Sequence, residues 1–529
     1  MSKRIIFGVS ASWLRFLLVT VIGLLQTPLL FRYLPAPELG VWYLFFTVAT
    51  FLALSDLGLP SAFGRAVSYV WGGRSKGDDV EVDPVAAFYC NISLSDLYKS
   101  ALFATLLMAL LVALLGFPFA YGYVVTVAGD PELSRRATLA LLLFICGVVA
   151  NLLAAIPNAC LSGLGDVGLD NATRSVTQVI GFVMILLFLP LYPDIKTLSL
   201  IYLGQGVLAL FSGHWLLVRR HSISGWLSGN LSFPAIRRMY LESLPVLVTR
   251  LGVWLVLESN LMIAGYLLGA GQLPNYAALR QVVMMGMSVP TSIPIALAPY
   301  AAAAYSAGNL EKVRYYYTVA VRYSLLVAAL WAAGLLVWAP RVMDAWLGPG
   351  HFVGYPVLMP LVLTCFLELH HSSHCFFVWS TGRWPFMTSS LIGGLLNLIL
   401  AFTGCRYYAF AGLAWGTMAA QLLTNNWYGV YYPLRHLGVP LVNYLRRTFL
   451  PTIAYLLVLL ALGAGIKAGV ERLLLPELPM LPSKMHLLGG VGVGVILTTL
   501  SAVLLAWWGM FGADGRREVL NLLRKKSEG

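Results

Sequence analysis

The stretch "ALSDLGLPSAFGRAVSYV", residues 53–70, lies inside an apolar run that begins near Gly40. The run is long enough to cross a bilayer, which takes about 20 residues. Yet it carries Asp56, Gly58, Pro60 and Arg65. Gly and Pro interrupt a helix, and an ionisable group in hydrocarbon costs about 2.5–3.5 kcal/mol on insertion scales. A span built this way needs polar company inside the membrane, so the rest of the chain is read for it.

The 529 residues are 59% hydrophobic and 11% charged, against roughly 25% charged in soluble domains. Apolar segments punctuated by charge, Gly and Pro recur near 11–33, 40–70, 98–124, 137–161, 172–192, 197–218, 240–269, 274–305, 317–339, 354–380, 385–404, 408–432, 448–468 and 487–509. These fourteen runs predict an all-α polytopic membrane protein. The first run is too long for a signal peptide, carries Arg15 and is followed by no small-x-small cleavage site, so it is read as a retained span. None of the connections is long enough to be a domain. The six cysteines form no CxxC or zinc spacing and read as packing residues, which implies neither a metal nor a cofactor. The net charge of +13 sits in short loops and so does not point to nucleic acid.

Those loop charges have a topological meaning. Of the Lys and Arg residues, 22 fall on the side of the N-terminus, 9 on the opposite side, and four inside spans: Arg15, Arg65, Arg250 and Arg280. The excess predicts that both termini are cytoplasmic.

The chain also reads as doubled. "YLPAPELGVWYLFF" from Tyr33 and "YLLGAGQLPNYAALRQ" from Tyr266 each pass a Gly/Pro-bearing turn into a long helix broken near its middle. The breaks are "DLGLP" in the first and "PTSIP" (290–294) in the second. The offset of six spans is even, so the repeats are parallel, with a substrate path expected between them. The expected organisation is an N-lobe over 1–218, a basic cytoplasmic linker over 219–239, a C-lobe over 240–435, and two extra helices with a basic tail over 436–529.

"LGVWYLF" (39–45) followed by "LSDLGLPSAFGR" (54–65) resembles the second span of Wzx-type oligosaccharide and O-antigen flippases. These belong to the multidrug/oligosaccharidyl-lipid/polysaccharide exporter superfamily, and the resemblance covers about residues 5–435. It implies two six-helix lobes around a central cavity. No nucleophile–base spacing, Walker A or Rossmann signature appears in the sequence, so no enzymatic activity is expected. The resemblance further implies transfer of a polyprenyl-diphosphate-linked oligosaccharide, as in lipopolysaccharide assembly, from the cytoplasmic to the periplasmic leaflet of the bacterial inner membrane. Glycan polymerases and other assembly proteins are the implied partners. The two C-terminal spans are similar to those of lipid II flippases, where such a pair offers a groove for the lipid tail.

A diphosphate head needs a hydrated, cationic passage, and Arg suits it because its planar fork donates to two oxygens at once. Arg250, about 15 Å into its span at 1.5 Å per residue, is the central candidate, followed by Arg65, Arg15 and Arg280. For Arg15, snorkelling to headgroups is an equal reading. Arg280 is read either as the partner of Glu258 or as receiving the exiting diphosphate. Asp56 is read either as a cap on the helix break or as a protonation- or cation-sensitive switch. In "CFLELHHSSHCFF" (365–377), His370 and His374 share a helical face; they are read as a polar cavity wall or a proton-coupling cluster, with Glu368 and Glu258 as further coupling candidates, or as interhelical hydrogen bonds, and a metal site, which would want more ligands, is the minor reading. The amides of Asn151, Asn260 and Asn397 are read as cavity wall for sugar or as interhelical hydrogen bonds. Tyr315, Tyr316 and Tyr317, next to Lys312 and Arg314, are read as an interfacial anchor. A drug or small-cation exporter of the same fold is the alternative, and a glycan polymerase or ligase a third reading. The first would want acidic, aromatic-lined lobes and the second a long periplasmic loop with catalytic groups.

Overall fold

Inside hydrocarbon every backbone N–H and C=O must bond within its own segment, so apolar runs of this length have one open-chain solution, the α-helix. The computed structural model describes residues 3–73, 84–221, 229–379, 381, 383, 385–473 and 483–505, and these are helical with no strand among them. The middle of the linker (222–228), the Pro/Leu-rich connection over 474–482 and the basic tail beyond 505 lie outside the described residues.

The chain forms two compact units, Met1–Pro274 and Asn275–Gly529. The first contains α1 (Lys3–Tyr33), α2 (Ala36–Leu52), α3 (Leu59–Gly73), the short α4 (Pro84–Cys90), α5 (Leu94–Leu111), α6 (Phe117–Ala128), α7 (Pro131–Gly163), α8 (Val167–Phe188), α9 (Ile195–His221), α10 (Phe233–Leu257) and α11 (Ser259–Leu268). The boundary falls within α12 (Leu273–Met285). The second unit continues with α13 (Ser288–Ser306), α14 (Leu310–Trp346), α15 (Tyr355–Trp379), α16 (Met387–Leu423), α17 (Asn425–His436), α18 (Leu441–Tyr444), α19 (Leu450–Leu473) and α20 (Ser483–Leu505).

Among the described residues, twelve helical stretches are long and apolar enough to cross a membrane. One of them, Met387–His436, doubles back on itself. Tyr408 leaves helical geometry and Ala409 takes φ +47°, ψ −136°. Beyond this turn Gly412 lies against Gly404, Gly416 against Leu400, and Thr424 and Asn425 against Gly393. Descending numbers paired with ascending ones define an antiparallel helical hairpin. Counting it as two crossings and adding the apolar stretch Gly489–Val503 of α20 gives about fourteen helices, as the hydropathy pattern predicts.

In the first unit α7 and α9 run parallel and close. A Cβ on Gly206 would sit 2.9 Å from the Gly147 carbonyl oxygen and 3.0 Å from the Ala150 side chain. Small residues at helix contacts permit this approach, which lipid-solvated helices use in place of a hydrophobic driving force. Caps close the exposed ends: Ser93 accepts from Asp96 N, Asp130 from Leu133 N and Asn309 from Lys312 N, at 3.1, 2.8 and 3.0 Å. The described end of the linker is held to α5. Lys99 Nζ donates to Gly229 O (2.7 Å) and Ser232 N to Ser100 Oγ (2.8 Å). Helices α10 and α11, which the repeat reading assigns to the C-lobe, pack against α3, α5, α2 and α6 of the first unit.

Tyr317 is a correction to the sequence reading. It is fully buried, and its hydroxyl meets His374 Nδ1 at 2.5 Å. Val313, Tyr317, Ala320, Val321 and Ser324 form the buried stripe of α14. Helical phase, not the neighbouring Lys312 and Arg314, decides the direction of this ring. Tyr315, off that stripe, is exposed.

Candidate functional site

The break that opened the sequence analysis is built residue by residue. After α2 the chain tightens into a 3₁₀ turn over Ala53–Asp56. Leu57 and Gly58 then take φ +51° and +75°, a left-handed geometry natural to Gly and strained for Leu. Asp56 Oδ1 accepts the Gly58 N–H at 2.7 Å, satisfying a donor that the broken ladder frees. Pro60 falls in the first turn of α3, where a missing N–H costs nothing. Gly58 is required a second way: a Cβ there would stand 3.2 Å from the Ser243 side chain of α10.

That neighbouring helix supplies the arginine. Arg250 Nη1 lies 3.9 Å from Asp56 Oδ1, across nearly two hundred residues of sequence. The contact is long, and the Arg250 side chain is 52% exposed while Asp56 is 18% exposed. About half of the guanidinium side chain is therefore open to its surroundings, with the Asp56 carboxylate alongside. Trp254 Nε1 donates to Thr50 Oγ1 at 3.0 Å and its ring packs on Phe51 at 4.9 Å, fixing α10 along the broken span. Tyr240, one helical face down, has a buried hydroxyl with no hydrogen-bond partner among the described residues.

The structure brings Asp56 and Arg250 together, and it places the other named residues elsewhere. Arg15 donates to Asn171 Oδ1 (3.2 Å) where α1 meets α8, beside an Arg174–Asp170 pair at 2.6 Å that Ser162 also joins. Arg65 is exposed on α3. Glu258 closes α10 and is half-buried in the first unit, and Arg280 is half-buried on α12. Asn151 and Asn260 donate to carbonyls of their own helices, at 2.9 and 3.4 Å. Asn397 is fully buried.

His370 and His374 belong to a buried polar chain in the second unit. Tyr444 presents its hydroxyl to Nε2 of both, and Tyr317 closes on His374 Nδ1. Glu368 accepts from Gln421 Nε2 at 2.6 Å and lies 3.5 Å from His371, which also meets Asn426 at 2.9 Å. Sequence reasoning found the histidines and missed Tyr444, because that partner comes from a helix seventy residues away. It also missed the pair Glu38–Arg136 at 2.6 Å, buried at the start of α2. Glu38 looks like any acid in a first helical turn.

Comparison with known proteins follows the same lines. Residues 8–304 match the family described as "Polysaccharide biosynthesis protein". A curated relative, the "Uncharacterized membrane protein EpsK" of Bacillus subtilis (strain 168), is 26% identical over 261 residues. That match spans 47% of this chain and 50% of the relative, so the chain covers about half the length of the curated relative it matches. Among solved structures, "Lipid II flippase MurJ, inward closed conformation" superposes with a TM-score of 0.64 at 15% identity, over 95% of this chain and 99% of that one. An inward-facing multidrug resistance MATE family transporter of the MOP superfamily gives 0.60 at 16% identity, over 79% of this chain and 94% of that one. At such identities these likenesses establish a fold. With more than half its length matched to the family model, this multi-pass membrane protein belongs to the polysaccharide biosynthesis protein family and has the fold of the MurJ and MATE transporters.

Proposed function

We propose that this protein moves a polyprenyl-diphosphate-linked oligosaccharide from the cytoplasmic to the periplasmic leaflet of the bacterial inner membrane. It works by alternating access, with both termini in the cytoplasm, and delivers the glycan to periplasmic assembly enzymes. The observation that carries the reading is the Arg250–Asp56 pair: a half-exposed guanidinium deep in a span, held by a distant carboxylate at a helix break. A diphosphate, with more acceptors and more charge than one carboxylate, displaces Asp56 and takes the fork bidentately. On release Asp56 recaptures the arginine, which keeps an uncompensated cation from trapping the empty carrier. Arg65 and Arg15 serve as weaker cationic contacts along the way, and Arg280 acts toward the exit. The match to the polysaccharide biosynthesis family supports a lipid-linked substrate over a small cation.

The test is leaflet exchange of a labelled polyprenyl-diphosphate sugar in liposomes holding the full-length protein. Losing charge-assisted hydrogen bonds of about 1.5–3 kcal/mol slows exchange by Arg250→Ala roughly 10- to 100-fold. Arg250→Lys, which keeps charge without the fork, falls between. Wild-type exchange by Arg250→Ala overturns the assignment.

A further inference from the structure

No Asp or Glu occurs between Glu368 and Glu471, a segment that carries Arg383, Arg406, Arg435, Arg446, Arg447 and Lys467. Where this segment turns from α17 into α18, residues 437–440 form a loop against the start of α14. Arg314 of α14 donates through Nε to Leu437 O at 2.7 Å, which anchors an otherwise exposed side chain beside Gly438. Beside it opens a cleft of about 260 Å³ lined by Arg314, Arg447, Asn443, Thr318, Tyr317 and Tyr444. Among the described residues neither arginine of the cleft has a carboxylate within ion-pair distance. On the far side of Tyr444 runs a groove of about 410 Å³ lined by Trp427, Val430, Tyr431, Leu445 and Phe449. A doubly cationic cleft thus adjoins an aromatic and aliphatic groove at the end of three membrane helices, with one tyrosine as the shared wall.

We propose that this cleft binds an anionic phospholipid. Its phosphodiester lies between Arg314 and Arg447, with the Asn443 amide as a further donor, and one acyl chain runs past Tyr444 into the groove. Charge complementarity selects the occupant. Two guanidinium groups with no counter-ion among the described residues, at a membrane boundary, call for a phosphate bearing net negative charge, which a zwitterionic lipid offers only in part. The groove requires that the phosphate carry a hydrocarbon chain, which distinguishes a lipid from a soluble anion. The site lies wholly in the second unit, apart from Asp56 and Arg250, and stands whether or not the glycan-lipid reading holds.

Native mass spectrometry of the full-length protein tests the assignment. Dioleoyl phosphatidylglycerol, dioleoyl phosphatidylcholine and glycerol 3-phosphate are added in turn. The wild type retains phosphatidylglycerol in preference to the other two. Arg314→Gln with Arg447→Gln weakens that retention about 30-fold, from two cation–phosphate contacts near the surface. Arg435→Gln with Arg446→Gln removes the same charge outside the cleft and stays within about twofold of the wild type. If the cleft variant does not purify as folded protein, Asn443→Asp places a carboxylate at an exposed position of the cleft and is expected to show the same loss. Three results overturn the proposal: undiminished retention by the cleft variant, equal retention of the two lipids, or equally tight binding of glycerol 3-phosphate.

Discussion

At the scale of single residues, charge inside an apolar span is recognisable, but its partner is not. Asp56 stood out because it interrupts a span beside Gly58 and Pro60, and Arg250 because it lies too deep to snorkel. That the two meet at 3.9 Å depends on which face α10 turns toward the break, and no local pattern carries that information. Glu38 shows the opposite case: nothing in "PAPELG" marks it as special, yet its side chain is 3% exposed and pairs with Arg136 at 2.6 Å. Removing one partner of such a pair strands the other in low dielectric. Arg136→Ala is therefore expected to destabilise the protein by about 3 kcal/mol, the lower end of the range because Arg136 itself is 34% exposed. Pairing it with Glu38→Leu should recover much of the loss, since an apolar replacement of both partners leaves no charge buried. Thermal unfolding in detergent across this double-mutant cycle measures the coupling. Strictly additive effects would mean that the pair contributes nothing as a pair.

At the scale of elements, run length and punctuation located nearly every helix, because the bilayer imposes a length and the backbone imposes the helix. What hydropathy missed is where the ladder departs from regularity. The π-helical segments Val112–Gly116 and Leu445–Phe449 sit in ordinary apolar sequence. The hairpin tip between the two halves of α16 is similar: "CRYYAFAG" (405–412) reads as a span end, yet an Ala occupies a backbone region open chiefly to Gly. Strain of about 1–3 kcal/mol there exceeds the roughly 0.5–1 kcal/mol that Gly costs through unfolded-state entropy. Ala409→Gly is therefore expected to raise Tm, and Ala409→Val, whose branched Cβ is excluded more strongly, to lower it. A glycine variant melting below the parent would show that the turn is not strained. The same element-level reasoning explains Tyr317: composition placed it at an interface, whereas the phase of α14 turns it inward to His374.

At the scale of the whole molecule, the information lies in parity. Each crossing reverses the chain, so the loops at Gly129–Asp130 and Ala307–Asn309 are separated by an odd number of spans when the fold is counted through α6, α9 and α13. The Lys and Arg asymmetry predicts that the Asn309 side faces the cytoplasm, together with Arg314 and Arg447 of the proposed lipid cleft. This is a joint statement about helix count and charge, and one missed span anywhere between the loops would reverse it. Cys90 and Cys146 are exposed thiols, so the measurement starts from a variant with all six cysteines replaced by Ala or Ser. A single cysteine is then returned at Asp130 or at Asn309, and intact cells are treated with a membrane-impermeant maleimide. Asp130→Cys is expected to react in intact cells and Asn309→Cys only after permeabilisation. Reaction of both from outside would break the parity argument and, with it, the direction of transport. The reverse pattern would leave the span count intact while inverting the protein, placing its arginine-rich ends against the charge rule that the 22-to-9 excess obeys.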